Sequence, residues 1–197
     1  DGDYSQEALV NLVNANLANQ LGNLLHRTLT LVNKNCDGFV PEAPELTTAD
    51  EELLARTYAL LPKCRAHMDR QAVHKVCEEL AVVVRSCNEY IDVQAPWALR
   101  KTDRVRMGCV LWTLLEAMRC VGILMQPLTP RASSDMLSQL GIAASEAGPA
   151  GSATLPPTDG RSFAAISPGH ALRPGTPIQK PTPVFPRIEM SEPPAHE

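Results

Sequence analysis

Residues 1–141 follow a helical pattern of apolar and polar positions. In the first segment, apolar residues recur at steps of three and four, which places them along one face of a helix. This helix is predicted to begin near Ser5, a good N-cap residue, and to end before Asp37 and Gly38. Its apolar face consists of Leu9, Val10, Val13, Leu17, Leu21, Leu24, Leu25, Leu29 and Val32.

A second and a third helix are predicted from the same periodicity. Thr48 or Asp50 is placed to cap the second helix. Pro62 is expected to kink or end it, because proline lacks the backbone N–H that a helix interior needs. The third helix is predicted over about 69–91, and each of the two has one apolar face to bury.

The remaining helical segments lie between Pro96 and Gly141. Pro96 suits the first position of a short helix, and a long fourth helix is predicted over about 103–125. A fifth, short helix is expected to begin at Thr129 and Pro130 and to end at Gly141. The sequence therefore predicts an all-α fold, in which residues 1–141 form an antiparallel bundle of about five helices.

The C-terminal part of the chain differs sharply in composition. Residues 142–197 hold eleven of the seventeen prolines, together with many Gly, Ser and Thr, so long helices are excluded. Residues 142–167 are expected to form a flexible linker. Residues 168–197 are expected to form an extended segment that docks back onto the bundle, because Val184, Phe185 and Ile188 supply a short apolar motif.

Composition excludes several classes of protein. Apolar stretches are interrupted by polar residues before they reach the ~20 residues of a membrane span. The six cysteines form no C-x-x-C pair, so no zinc site is expected. The net charge of −4 does not indicate a nucleic-acid binder, although a whole-chain sum can hide a local basic face.

Motifs of catalysis are also missing from the sequence. The chain contains no G-x-S-x-G, P-loop, H-E-x-x-H or G-x-G-x-x-G motif. Runs of carboxylates such as Asp50, Glu51 and Glu52 are interpreted as solvated helix faces. We therefore expect a binding domain without catalytic residues.

The first helix is unusually rich in asparagine, a poor helix former. Asn23 and Arg27 are four residues apart and share one helix face, where an amide and a guanidinium can bond to the edge of an unstacked base. The alternative is that both side chains bond to neighbouring helices, since buried polar groups need partners. The full set of asparagines is Asn11, Asn14, Asn16, Asn19 and Asn23.

Trp97 and the basic residues after it form a second candidate site. Exposed at a helix start, Trp97 would be a platform on which a base stacks, worth roughly 1–3 kcal/mol; the alternative is a tryptophan of the core. The cations that follow could contact a phosphate backbone, or could simply be solvated. They are Arg100, Lys101, Arg104 and Arg106.

Four segments of the chain resemble, in the same order, segments of the anticodon-binding domain of methionyl-tRNA synthetases. They comprise residues 1–27, Asn88-Glu89-Tyr90 with Gln94-Ala95-Pro96-Trp97, Gln126-Pro127-Leu128-Thr129-Pro130, and Pro168-Gly169-His170 leading to Pro183-Val184-Phe185-Pro186-Arg187-Ile188-Glu189. The stretch between Ile142 and Ser167 departs from the family pattern.

The resemblance implies that the bundle binds tRNA with the CAU anticodon. Asn23, Arg27 and Trp97 match the positions that contact the first anticodon base, with Trp97 stacking on the cytosine and the other two bonding to its edge. In this family a separate Rossmann-type catalytic domain contains the HIGH and KMSKS motifs, and neither motif occurs here. The resemblance thus implies that the whole protein is a methionine–tRNA ligase that uses ATP and Mg. This chain alone is expected to be inactive.

Two other functions stay open at this point. The chain could be a helical protein-interaction module with no RNA role, or the anticodon-binding domain of a related class I synthetase for isoleucine, valine, leucine or cysteine. We expect a monomer, because no OB-fold extension follows Glu197. Neither DNA nor a membrane is an expected partner. A mitochondrial matrix protein is slightly favoured over a cytoplasmic one by the use of cysteine.

Overall fold

The computed structural model describes residues 14–143 and 160–186, and its regular secondary structure is helical, which confirms the all-α fold. A π-helical segment, Asn14–Gly22, runs directly into the first α-helix. The predicted helix start at Ser5 lies outside the described residues. Within them the α-helices are α1 (Asn23–Asn35), α2 (Thr48–Tyr58), α3 (Leu60–Met68), α4 (Val73–Gln94), α5 (Pro96–Thr102), α6 (Arg104–Met125) and α7 (Pro130–Gln139).

The predicted second helix is two helices, α2 and α3. The chain bends at Ala59, before Pro62, and Pro62 is then the third residue of α3. At that position a helix has no intrahelical partner for its N–H, so proline is tolerated there. A helix that continued through Ala59 would need the Pro62 N–H as donor to Tyr58 O, so the break predicted from Pro62 is present and lies three residues before the proline.

The N-terminus of α2 is closed by a capping box. Thr47 is the N-cap, one residue before the predicted Thr48, and its backbone N–H donates to Asp50 Oδ2 over 2.8 Å. The same geometry turns the Asp50 side chain inward. Asp50 is completely buried, so it does not belong to the solvated helix face that its acidic neighbours Glu51 and Glu52 form.

The central helix of the bundle is α6, which contacts α1, α2, α4, α5 and α7. From Met107 to Met125 every residue except Trp112 is buried. By length and hydropathy α6 is the one helix in the described part of the chain that could cross a membrane, yet 94% of that stretch is buried in the bundle. Its apolar character is accounted for by its place in the core.

A buried ion pair lies within this apolar helix. Arg119 Nε donates to Glu116 Oε2 over 2.8 Å, and neither side chain is more than 2% exposed. Glu116 also accepts from the Tyr58 hydroxyl at 2.9 Å and from Leu172 N at 3.0 Å, while Arg119 Nη1 donates to Ala165 O at 2.8 Å. The pair is thus satisfied by partners from α2 and from the C-terminal segment, as buried charges require.

The C-terminal segment packs against the bundle over residues 160–186. Leu172, Ile178 and Val184 belong to the core. Trp112 Nε1 donates to Leu172 O over 2.9 Å, and Thr182 N donates to Gln139 Oε1 over 2.9 Å. The backbone of this segment is therefore held by side chains of α6 and α7.

Residues 160–167 differ from the flexible linker predicted for them. Ala165 and Ile166 are buried in the core, and Arg161 is buried against α7. The Arg161 guanidinium donates to Ile142 O and to the Ser134 and Ser138 hydroxyls, which fixes the start of the segment. The rest of the predicted linker, residues 144–159, lies outside the described residues, as do residues 187–197 at the end of the chain.

We predict that Arg119→Met destabilises the protein by about 3–5 kcal/mol, because Glu116 then stays buried without its counter-charge. The measurement is the free energy of unfolding in urea. Lys75→Met, which breaks the exposed Lys75–Glu78 ion pair, is the matched control and should change little. The double variant Glu116→Gln/Arg119→Met should recover part of the loss. An Arg119→Met protein as stable as wild type would contradict the prediction.

Candidate nucleic-acid interface

The corner between α4 and α5 places Trp97 at the surface. Ala95 joins the two helices in the left-handed conformation, with φ 43° and ψ 58°. Pro96 follows as the first residue of α5 and is buried, and Trp97 comes next with 44% of its surface exposed. Trp97 is therefore a surface residue and not part of the core, and the stacking of a base on it stays a prediction.

Arg27 of α1 reaches this corner. Its Cζ lies 5.5 Å from the centroid of the Trp97 ring, within cation–π range. Its Nη2 donates to Asp92 Oδ1, in the last turn of α4, over 2.8 Å, and both side chains are largely exposed. Arg27 therefore covers one face of the Trp97 ring and is held there by a carboxylate.

Asn23 lies one turn before Arg27 on the same face of α1. Its side chain is exposed and hydrogen-bonds to no residue in the described part of the chain. The alternative, that both side chains bond to neighbouring helices, therefore holds for Arg27, which bonds to Asp92 of α4, and does not hold for Asn23. The amide is free to offer both a donor and an acceptor to a ligand.

The basic residues after Trp97 do not act as one cluster. Arg100 and Lys101 are exposed in the last turn of α5. Arg104 is exposed as well and donates from Nη2 to Asn35 O over 3.1 Å, at the end of α1. These three cations lie at the surface, where a phosphate backbone could reach them.

Arg106, the fourth basic residue, faces the interior. Its guanidinium donates to both carboxylate oxygens of Asp50, and its Nη2 also donates to Gln94 Oε1 over 2.8 Å. The side chain is only 16% exposed. Since its donors are committed to Asp50 and Gln94, Arg106 is not available for the phosphate contact expected from the sequence.

Burial and hydrogen bonding oppose each other at Asp50. Burial would raise the pKa of this carboxyl, but hydrogen bonds from Arg106, the Tyr90 hydroxyl and the Thr47 N–H favour the charged form. The hydrogen bonds prevail and hold the pKa of Asp50 below its usual value. The carboxylate is therefore the ionised centre of a buried network that joins α2, α4 and α6.

Among the described residues, no group of three or more His, Cys, Asp and Glu side chains is arranged to hold a metal ion. At the α4–α5 corner a guanidinium lies over an exposed indole, and the free amide of Asn23 lies on α1 one turn before that arginine. These are the groups with which proteins bind unstacked bases.

A family model of the anticodon-binding domain of methionyl tRNA ligase matches residues 40–193 of the chain. The chain belongs to this family. The expectation drawn from the four sequence segments is thereby confirmed.

Other anticodon-binding domains of methionyl-tRNA synthetases are similar over nearly the whole chain. The methionine–tRNA ligase of Brucella suis biovar 1 is 42% identical over 193 residues, which are 98% of this chain and 35% of that protein. The methionine–tRNA ligase of Mesorhizobium japonicum is 41% identical over 187 residues, 95% of this chain and 34% of that protein.

Solved structures show the same helical architecture. The apo crystal structure of Mycobacterium tuberculosis methionyl-tRNA synthetase matches with a TM-score of 0.86 and 39% identity, over 97% of this chain and 36% of that one. The same enzyme bound by methionyl-adenylate matches with a TM-score of 0.84, over 94% and 34%. The chain therefore spans about a third of the length of the relatives that it matches, and it lacks the catalytic motifs.

We predict that Asp50 makes stability depend on acid. The pKa of Asp50 is lower in the folded state than the ~3.9 of an unfolded chain. Its contribution to the free energy of unfolding is therefore complete well above that pKa and is lost as the pH falls through the pKa of the folded state. Asp50→Asn should therefore be less stable than wild type at pH 7, and the difference in free energy of unfolding between the two proteins should become smaller below about pH 4. Urea midpoints between pH 7 and pH 3 measure this.

Glu51→Gln is the control for the acid experiment, because Glu51 is an exposed carboxylate in the same turn of α2. Its urea midpoints should follow those of wild type at every pH. A constant gap between Asp50→Asn and wild type down to pH 3 would show that Asp50 is not the titrating group.

Proposed function

We propose that the chain selects tRNA by binding the first anticodon base, cytosine, at Trp97, Arg27 and Asn23. The observation that supports this most directly is the cation–π contact of an exposed arginine with an exposed tryptophan, with a free amide one turn before the arginine. A helical protein-interaction module would need none of these polar groups to converge. The membership in an anticodon-binding family supports the RNA function over that alternative.

A base that stacks on Trp97 competes with Arg27 for the ring. The arginine has to leave the covered face if its donors are to reach the base edge, because a base stacked on the opposite face would be out of its range. Leaving the ring costs about 0.5–1 kcal/mol at an exposed site and losing the exposed ion pair with Asp92 up to about 1 kcal/mol more, whereas a stacked base contributes roughly 1–3 kcal/mol and the new bonds to its edge add to that. The exchange is therefore favourable, and the guanidinium can then donate to the O2 and N3 acceptors of cytosine.

Asp92 adds a reason for preferring cytosine. It loses its partner when Arg27 moves, and a carboxylate can only accept hydrogen bonds. The exocyclic amino group of cytosine is a donor, whereas uracil presents a carbonyl at the same place. An unpaired Asp92 beside that carbonyl would penalise uracil, as unpaired polar groups in a binding site do.

Arg100, Lys101 and Arg104 would bind the phosphates on either side of this base. They are exposed, and the first two lie in the turn of α5 that follows Trp97. Such contacts contribute affinity without distinguishing sequences, because every nucleotide has the same phosphate. Selectivity would then reside in α1 and Asp92, and general affinity in α5 and the first residue of α6.

The whole protein would be a methionine–tRNA ligase that charges tRNA bearing the CAU anticodon with methionine. The chain contains neither the HIGH nor the KMSKS motif of the catalytic domain. ATP and Mg would therefore be bound by the catalytic part, which is the partner of this domain. We further propose a monomer, in the mitochondrial matrix or the cytoplasm.

The decisive measurement is the affinity of the chain for two anticodon stem-loops that differ only in the first anticodon base, cytosine or uracil. Trp97→Ala should weaken both by roughly 1–3 kcal/mol, because stacking is indifferent to base identity. Arg27→Ala and Asn23→Ala should instead reduce the preference for cytosine. Arg27→Ala in particular should leave the affinity for uracil unchanged or raise it, since it uncovers the Trp97 ring.

Trp112→Phe is the control, because Trp112 packs in α6 and lies away from this corner in the fold; both affinities should stay at the wild-type level. If Trp97→Ala binds both RNAs like wild type, stacking does not occur there and the interaction-module alternative gains. If the preference for cytosine survives the loss of both Asn23 and Arg27, the base is recognised elsewhere.

The phosphate contacts have a separate test in the salt dependence of binding. Arg104→Gln should weaken all stem-loops alike and reduce the slope of log K against log salt by about one. Arg65→Gln, an exposed arginine of α3, is the matched control and should leave the slope unchanged. If Arg104→Gln keeps the wild-type slope, Arg104 does not contact a phosphate and its role is the hydrogen bond to Asn35 O.

A further inference from the structure

The turn that presents Trp97 is a strained one. Ala95 is one of three non-glycine residues with positive φ in the described part of the chain. A side chain disfavours this conformation, so it persists only where the surroundings fix it. The backbone supplies part of that restraint, since Ala95 N donates to Ile91 O over 3.0 Å and Ala98 N donates to Ala95 O over 2.8 Å.

Side chains supply the rest, from the residue directly before the turn. Gln94 ends α4, and its Oε1 accepts from Arg106 Nη2 over 2.8 Å. Arg106 lies in the first turn of α6 and is itself fixed by its two bonds to Asp50. Asp50 is buried and also accepts from the Tyr90 hydroxyl, one turn before Gln94 on α4.

The hydrogen bonds of this network are directional, whereas apolar packing is not. A guanidinium donates in a rigid fork, so two of its bonds fix the plane of the third. Buried ion pairs are weak contributors to stability, but they can fix one arrangement among several. Here the arrangement that is fixed is the end of α4 relative to α2 and α6, and with it the start of α5.

We propose that Gln94 and Arg106 are positioning residues for Trp97: the Asp50–Arg106–Gln94 chain of hydrogen bonds sets the orientation of the indole for base stacking. This inference rests on the proposed function in so far as it concerns RNA. Neither residue contacts the base. Their role is to hold the indole ring in one orientation before the base binds.

The test is Gln94→Met, which keeps the side-chain length and removes the acceptor. The chain has two tryptophans, so its indole N–H groups give two cross-peaks in a proton–nitrogen NMR spectrum, assigned with Trp97→Phe. Gln94→Met should shift or broaden the Trp97 peak and leave the Trp112 peak in place. It should weaken binding of the CAU stem-loop by about five- to tenfold, which is the lower end of the effect of losing one stacked base.

Gln94→Glu is the rescue variant, because its carboxylate can still accept from Arg106. The Trp97 peak and the ratio of affinities for cytosine and uracil should return to wild type, whatever the added charge does to affinity as a whole. Gln126→Met is the matched control: it removes a glutamine that donates to Ile123 O and Arg161 O. It should leave the Trp97 peak and the RNA affinity unchanged.

Three results would overturn the inference. An unmoved Trp97 peak in Gln94→Met would show that the network does not orient the ring. Movement of both tryptophan peaks would show a general loss of structure, and failure of Gln94→Glu to restore the Trp97 peak would exclude the bond to Arg106. A wild-type chain with no preference for cytosine would refute the proposed function instead, while the NMR comparison would still decide the role of Gln94.

Discussion

The ion pair between Arg106 and Asp50 is the point at which three helices of the bundle are fixed to one another. Asp50 belongs to the capping box of α2, Arg106 to the first turn of α6, and Gln94 completes the contact from the end of α4. A pair of this kind contributes less to stability than apolar side chains of the same volume would. What it provides is a defined angle between helices, on which the strained turn at Ala95 and the exposed Trp97 both depend.

The helices could be predicted because their apolar periodicity is strong. α4 and α6 lie close to the predicted spans, and the bundle follows from faces that have to be buried. The first predicted helix ends where expected, but its α-helical part begins only at Asn23, after the π-helical segment Asn14–Gly22. The break between α2 and α3 could be predicted from Pro62, but its exact place at Ala59 could not, because a proline interrupts a helix up to four residues before itself. The packed residues Arg161 and Ile166 were also missed, because a proline-rich composition excludes helices but does not exclude docking.

The candidate site was predicted only in part, for a similar reason. Asn23, Arg27 and Trp97 stand out by residue type, and the structure brings Arg27 to Trp97. The contact of Asp92 with Arg27 could not be predicted from the sequence, because the two residues are 65 positions apart in the chain. Asp50 did give one: it lies at steps of three, four and seven from Leu53, Leu54 and Thr57, all of them buried. A charged residue on an apolar helix face needs a buried partner, and Arg106 is that partner.

The ion pair inside α6 has a consequence for the order in which the chain acquires its structure during synthesis. Glu116 and Arg119 are completed by Leu172 and Ala165, which leave the ribosome more than 40 residues later. Until then the central helix bears two charges whose backbone partners do not yet exist, and water has to serve them instead. The bundle therefore cannot close around α6 as an apolar unit while it is being made, and its last segment is a component of the core.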